Sequence, residues 1–162
     1  MRFTLRNSGP RAPVQSVVPA PHFELGRRGE TLAIEHLEQA GYQIVAANFS
    51  LPIGRNRRDA VVNAELDIVA YDGPVLCFVE VKTRASDEFA PPQANVDLRK
   101  RRQIARAALA YRRMLGLVSV AYRYDVVTVV LADTERPRIQ LIRNFWRDET
   151  RRRRSSYDAH WD

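Results

Sequence analysis

Residues 64–84 read AELDIVAYDGPVLCFVEVKTR, and this stretch decides the fold. Two β-rich runs, Ala64 to Tyr71 and Val75 to Thr83, flank Asp72-Gly73. An Asp-Gly pair between such runs is a strong short-range signal for a β-hairpin. Side chains two apart on a strand share a face, so Glu80 and Lys82 project together while Val79 and Val81 point the other way. With Asp72-Gly73 as a two-residue turn, Asp67 faces Phe78 and Glu65 faces Glu80. Opposed residues of an antiparallel pair point to the same side. Glu65, Asp67, Glu80 and Lys82 therefore crowd onto one face of one hairpin.

Carboxylates gathered on a sheet face repel one another unless something positive joins them. Lys82 offers one charge, and a divalent cation offers more. An oxygen-only set suits Mg²⁺, or Mn²⁺ in its place, which takes one or two carboxylates and keeps several waters for a phosphate to displace. A metal held this way lowers the pKa of a bound water and neutralises charge on a phosphodiester. Lys82, a mobile point charge beside it, can orient the nucleophile or stabilise developing negative charge. The bland alternative is a structural salt bridge from Lys82 to Glu80 or Glu65. For Glu-x-Lys alone that alternative is favoured. Asp67, the hairpin geometry and the scarcity of lysine shift the balance to a metal site.

That scarcity is marked. Of 26 basic residues only Lys82 and Lys100 are lysine; the other 24 are arginine. Arginine's planar fork substitutes poorly for a compact ammonium on a reacting centre. The net charge of +7 is also unevenly spread: residues 1–22 carry +3, residues 23–83 carry −3 and residues 84–162 carry +7. A basic chain around an acidic centre fits a polyanionic partner, although a genome that writes arginine everywhere gives the same totals.

Outward from the hairpin, Glu24 to Ala40 reads as a helix with Ala33, Ile34, Leu37 and Ala40 as core stripe and Gly41 as stop. Glu30 falls on its apolar face, where it is either a site carboxylate or an edge cap. Tyr42 to Phe49 reads as a strand, and residues 50–63 and 84–95 as loops. Val96 to Leu115 is a second helix with the stripe Ile104, Ala108, Tyr111 and Leu115. Arg99, Arg102, Arg106 and Arg113 line another face, with no acid from residue 98 to 116. As a group these suit phosphate contacts better than simple solvation. Lys100, at the border of the two faces, can reach either the sheet or a phosphate. Val118 to Leu131 and Arg138 to Ile142 complete the strands. The order α-β-β-β-α-β-β gives an α/β fold, a mixed sheet flanked by helices. It occupies residues 23–146, between a Pro-rich basic leader (1–22) and a basic tail (147–162).

The length suits one domain with a real core, and a 45% hydrophobic content excludes a disordered chain. A single cysteine, Cys77, excludes a disulfide framework and a cysteine zinc site, and fits the reducing cytoplasm. No apolar run approaches the eighteen or so residues of a membrane span, and prolines interrupt the N-terminus where a signal peptide needs an apolar stretch.

An Asp followed downstream by Glu-x-Lys on a β-hairpin resembles the core of the restriction-endonuclease-like superfamily, the PD-(D/E)xK nucleases. More closely, the chain resembles the YraN-like family of uncharacterised bacterial proteins over roughly residues 24–145. The motifs are Gly26-Arg27-Arg28-Gly29-Glu30, Gly41-Tyr42, Asn48-Phe49, Glu65-Leu66-Asp67, Phe78-Val79-Glu80-Val81-Lys82-Thr83-Arg84, Val96-Asp97 with Lys100, and Tyr124-Asp125-Val126-Val127. The resemblance implies a fold like that of archaeal Holliday-junction resolvases, with metal-dependent DNA cleavage. It makes Glu30 the helix carboxylate, Asp67 and Glu80 the metal ligands and Lys82 the catalytic lysine. Junction-cleaving relatives in that superfamily tend to act as dimers, which makes a homodimer one candidate state while the sequence leaves the oligomeric state open. The expected function is thus a Mg²⁺-dependent endonuclease acting on DNA, with branched or damaged structures as candidate substrates. Two rivals stand beside it: a nucleic-acid-binding module of the same fold without turnover, and an interaction protein whose basic helix docks an acidic partner.

Overall fold

In the computed structural model, which describes residues 21–85, 96–132 and 136–148, seven elements form in the expected order. They are α1 (Pro21–Gln39), β1 (Gln43–Arg55), β2 (Val61–Asp72), β3 (Val75–Arg84), α2 (Leu98–Met114), β4 (Tyr122–Val130) and β5 (Arg138–Trp146). The strands make one mixed sheet in the order β1-β2-β3-β4-β5. Only β3 and β4 run parallel. A parallel pair cannot be joined by a tight turn, and α2 supplies the crossover.

Each face of the sheet has its own core. Ala33 and Leu37 of α1 cover Ile68, Ala70, Cys77, Val79, Val127 and Val129. On the other face Ile104, Ala107, Ala108 and Tyr111 of α2 cover Leu66, Val69, Leu76, Phe78, Tyr124 and Val126. Strand β4, covered on both sides, is buried without a break from Tyr124 to Val130, as expected of a central strand between two helical layers. In β3, Leu76 and Phe78 face α2 while Cys77 and Val79 face α1. The period-2 rule continues that alternation to Glu80 and Lys82, on the α2 side.

The hairpin register differs from the sequence expectation. Asp72 pairs with Val75 and Ile68 with Val79, so the turn is Gly73-Pro74. Gly73 takes the left-handed conformation (φ +55°), and Pro74, lacking an N–H, loses nothing in a turn. Each residue's partner thereby moves by two positions. An even shift keeps Asp67 on the face of Glu80 and Lys82, whereas a slip of one would have inverted it. Glu65 leaves that face: Ala64 and Leu66 pack on the α2 side although Ile68 and Ala70 pack on the α1 side, so the alternation of β2 breaks at Asp67 and Glu65 points away from the cluster.

Residues 50–63 are not a loop. Strand β1 runs on to Arg55 and β2 begins at Val61. Pro52 and Gly54 read as breakers, but β1 is an edge strand, and its register shifts between these two residues as a bulge. Asn56 builds the turn, its Oδ1 accepting from the N–H of Arg58 (2.9 Å) and of Ala60 (3.1 Å).

Helix α2 starts after Asp97, whose carboxylate caps the N–H of Lys100 at 2.7 Å. It stops one residue short of Leu115, which is exposed rather than in the core stripe, and Gly116 (φ +70°) turns the chain away. Arg112 takes an inner position instead. Its guanidinium donates to the carbonyls of Leu117 and Val118 and lies 3.7 Å over the Tyr122 ring. That clamp holds residues 117–120 in a turn, so β4 starts at Tyr122 and not at Val118. At the other end β5 runs past Ile142 to Trp146, which stacks on Tyr124 with centroids 4.8 Å apart.

Of α1's expected stripe, Ile34 is half-buried and Ala40 exposed. The helix starts at Pro21, two residues inside the expected leader. The rest of the leader (1–20), residues 86–95 of the second loop and 149–162 of the tail lie outside the described residues. Asp148 is described, and it accepts from the hydroxyls of Tyr122 (2.7 Å) and Tyr124 (3.1 Å). Among the described residues no helix is long and apolar enough to cross a membrane.

Candidate active site

The β2–β3 ladder ends at the Ile68–Val79 pair. One residue further, Asp67 substitutes its side chain for a strand carbonyl: Oδ2 accepts the Val81 N–H at 2.8 Å. This brings the half-buried Asp67 beside Glu80, which is only 3% exposed. Glu80 Oε1 accepts from Lys82 Nζ at 2.7 Å, and Glu80 Oε2 pairs with Lys100 Nζ at 3.3 Å. The chain's only two lysines thus hold the two oxygens of one carboxylate. An arginine would engage both oxygens with one fork and exclude the second partner, whereas compact ammonium groups can share them. Lys100, which by sequence can reach either sheet or phosphate, turns to the sheet. The Lys82–Glu80 ion pair that a structural role requires is present, but within a larger cluster.

Burial and neighbouring charge set the electrostatics of the cluster. The Asp67 carboxyl is held well above the usual carboxylate range by burial and then by Glu80, against the opposing pull of the Val81 N–H and Lys100. Burial pulls the Lys100 ammonium down, but Glu80 and Asp67 outweigh it and its pKa is raised. Burial is the larger cause, so the Asp67 carboxyl holds a proton more readily than a free carboxyl does, and Lys100 offsets that only in part.

Glu30 stands one step away. Helix α1 approaches β3 so closely that a Cβ on Gly29 would lie 1.8 Å from Thr83 Oγ1. Only glycine permits this approach. Glu30 Oε2 accepts from Asn48 Nδ2 at 3.1 Å. Asn48 has a left-handed backbone (φ +52°) and lies between the Ala47–Ile68 and Phe49–Leu66 pairs, opposite Asp67. The bond that fixes Glu30 thus goes to Asn48, not to the Glu80 cluster. In the sequence Asn48 belongs to a motif but has no evident task; the signal is an Asn inside a β-rich run, a residue that strands disfavour. Glu65 is exposed and contributes only to the field at Lys100.

The helix arginines divide. Arg99, Arg102 and Arg113 are exposed. Arg106 is exposed too, but its Nη2 donates to the Ile53 carbonyl at 2.6 Å and pins the edge strand.

A second polar cluster has no counterpart in the sequence reading. Asp125, fully buried on β4, accepts from Arg123 Nε (2.9 and 3.0 Å), from the Tyr42 hydroxyl (3.1 Å) and from the Asn144 N–H (2.8 Å). Arg123 also donates to Asp72 (2.6 Å) and to Tyr42 (2.7 Å). Burial, reinforced by Asp125, pushes the Tyr42 hydroxyl up to about 12. The cluster ties the start of β1 and the β2–β3 turn to β4 and β5, a structural role.

The donor set fits a hard, loosely held cation. Asp67 and Glu80 provide two carboxylates, the number with which Mg²⁺ is commonly bound. Among the described residues no group of three or more His, Cys, Asp or Glu is placed to hold a metal ion.

Residues 29–129 match the profile of uncharacterised protein family UPF0102. The chain is similar to the UPF0102 protein of Koribacter versatilis, with 38% identity over 135 residues, 81% of this chain and 87% of the relative. A Geobacter sulfurreducens relative is 42% identical over 120 residues, 74% of this chain and 86% of its own. One from Porphyromonas gingivalis is 41% identical over 144 residues, 83% and 98% respectively. The matched profile spans Gly29, Glu30, Asn48, Asp67, Glu80, Lys82 and Lys100.

Proposed function

The chain belongs to uncharacterised protein family UPF0102, the YraN-like family to which its motifs pointed, and we propose that it is a divalent-metal-dependent phosphodiesterase acting on DNA in the cytoplasm. The observation that carries this reading is the meeting of Asp67, Glu80, Lys82 and Lys100 where the β2–β3 ladder opens. Asp67 and Glu80 would hold Mg²⁺ or Mn²⁺. Bound there, the cation supplies neutralisation of phosphodiester charge and acidifies water. Lys82, already aimed into the cluster, orients the attacking water and stabilises charge on the phosphoryl oxygens. Hydrolysis adds water across one P–O ester bond: the water oxygen joins phosphorus, the alkoxide leaves and takes a proton. Glu30 steadies Asn48 opposite Asp67, and exposed Arg99, Arg102 and Arg113 contact the backbone of a strand led to the site.

The test is cleavage of linear, flapped and four-way DNA with Mg²⁺ or Mn²⁺, with Glu80→Ala, Asp67→Ala and Lys82→Ala as controls. The expected result is metal-dependent cutting that all three substitutions abolish. DNA left equally intact by wild type and by Asp67→Ala sinks the nuclease reading. One observation favours a second reading: with a lysine on each Glu80 oxygen the cluster is already closed by ion pairs, as a binding module without turnover would have it. DNA binding that persists in every carboxylate variant, without cleavage, supports that reading.

A further inference from the structure

The two lysines on Glu80 are not equivalent. Lys82 lies two residues along the same strand and its ammonium is 2.7 Å from Oε1. Lys100 crosses from α2 to a longer contact, 3.3 Å from Oε2, although the two lysine side chains are almost equally exposed. Its backbone is fixed by the Asp97 cap, but four methylenes leave the ammonium free to swing. Its neighbours along the helix, Arg99 and Arg102, are exposed on the surface proposed above for the DNA backbone.

Charge counting sets the constraint. Two carboxylates and two ammonium groups sum to zero when all are ionised. A divalent cation added to that set leaves an excess of two positive charges, and it must share Glu80 with two ammonium groups already on its oxygens. One ammonium has to yield. The one with the longer contact, the flexible reach and a phosphate-facing neighbourhood is Lys100.

Resting on the metal-dependent reading, we infer that Lys100 is an exchangeable counter-ion: it holds Glu80 in the metal-free protein, releases Oε2 as a divalent cation is taken up, and turns to a phosphate of the bound strand. Lys82 stays in place. Lys100 is thus a positioning residue that links two loadings. Because coupling between sites is reciprocal, metal tightens DNA binding by freeing Lys100 for a phosphate, and DNA tightens metal binding by drawing Lys100 off Glu80.

The experiment is calorimetric titration of the full chain with Mn²⁺ in the absence of nucleic acid, on wild type, Lys100→Met, Lys100→Gln, Lys100→Arg and Glu80→Ala. Removing one positive charge about 5 Å from a divalent ion strengthens its binding by about ten-fold even at the dielectric of water. Lys100→Met should therefore bind Mn²⁺ about ten-fold more tightly than wild type. Lys100→Gln, which can still donate to Glu80, should do the same and serves if the Met variant fails to fold. Lys100→Arg, which keeps the charge, should show no gain. A residue with a merely structural role would loosen the site on removal, so Mn²⁺ binding by both neutral variants no tighter than wild type overturns the inference and leaves the nuclease reading standing. Absence of any Glu80-dependent Mn²⁺ binding, in wild type and neutral variants alike, overturns both. A second arm measures binding of a four-way DNA: Mn²⁺ should tighten it more in wild type than in Lys100→Met, and an equal gain in the two would also refute the exchange.

Discussion

Two glycines three residues apart on α1 give opposite predictions for the same substitution. Ala is about 1 kcal/mol better than Gly in a helix interior, so Gly→Ala stabilises unless the methyl meets something. At Gly26 it meets nothing within 4 Å. At Gly29 it would lie 1.8, 2.6 and 2.7 Å from Oγ1, Cγ2 and Cβ of Thr83. Rotation about χ1 moves the first two atoms, but Thr83 Cβ is fixed by the β3 backbone, so the helix or the strand must shift. Overpacking of this kind costs about 1–3 kcal/mol. With the helix-propensity gain subtracted, and with a Cβ–Cβ clash that no rotamer relieves, Gly29→Ala should lose about 1–2 kcal/mol. Gly26→Ala should gain up to about 1 kcal/mol. In thermal melts Gly29→Ala should fall by about 4–8 °C and Gly26→Ala should rise by a few degrees. Urea midpoints should move in the same directions. Gly29 precedes Glu30 and Thr83 follows Lys82, so the displacement should also weaken Mn²⁺ binding. Equal stabilisation by the two substitutions would refute the close docking of α1 on β3.

Further outcomes rest on the same geometry. Asp125→Ala leaves Arg123 with Asp72 as its one carboxylate and removes acceptors from Tyr42 and from the Asn144 N–H; unfolding titrations should show a loss of about 2–4 kcal/mol, and a loss under about 1 kcal/mol would mean the cluster is not coupled to folding. The pKa of Asp67 is higher in the folded than in the unfolded chain, so the folded protein retains a proton that the unfolded chain has released. Its contribution to metal-free stability is therefore fullest below about pH 4 and declines as pH rises through the raised pKa. Asp67→Asn should flatten that slope in urea titrations between about pH 4 and 8, and an unchanged slope counts against the shift. Replacing Arg99, Arg102 and Arg113 by Ala should lower the slope of log affinity for DNA against log salt by about 0.9 for each phosphate no longer neutralised. Arg106→Ala should instead destabilise the β1 edge by about 1 kcal/mol, through loss of its bond to Ile53. Buried Cys77, its thiol pushed up to about 12 by burial and by Asp125, should resist iodoacetamide at about pH 8 until urea is added; labelling of the native protein would show that β3 opens.

Much of the site was legible because strands impose a simple code. The period of two placed Glu80 and Lys82 on one face, and it keeps them there although the turn lies one residue later than Asp72-Gly73 suggests. The count of lysines singled out the same pair of positions that the fold brings to Glu80. Edge-strand chemistry hid what the sequence could not show. Pro52 and Gly54 look like loop residues, and only their place on a strand with one free edge makes a bulge tolerable. Asn48 and Gly29 look like parts of a motif without a task, because their tasks are contacts with residues 18 and 54 positions away.

Local rules thus determined from the sequence alone the α/β order, the hairpin, the Gly41 stop and the face that Asp67, Glu80 and Lys82 share. These depend on alternation, capping and turn chemistry, which act over a few residues. Tertiary structure decided what depends on distance through space. It turned Lys100 towards Glu80, used Arg106 to pin β1 and buried Asp125 among Tyr42, Arg123 and Asn144. Most of all, it raised the proton affinity of Asp67, because desolvation and the field of a second carboxylate arise only when two strands that part from their ladder hold both groups in one low-dielectric place.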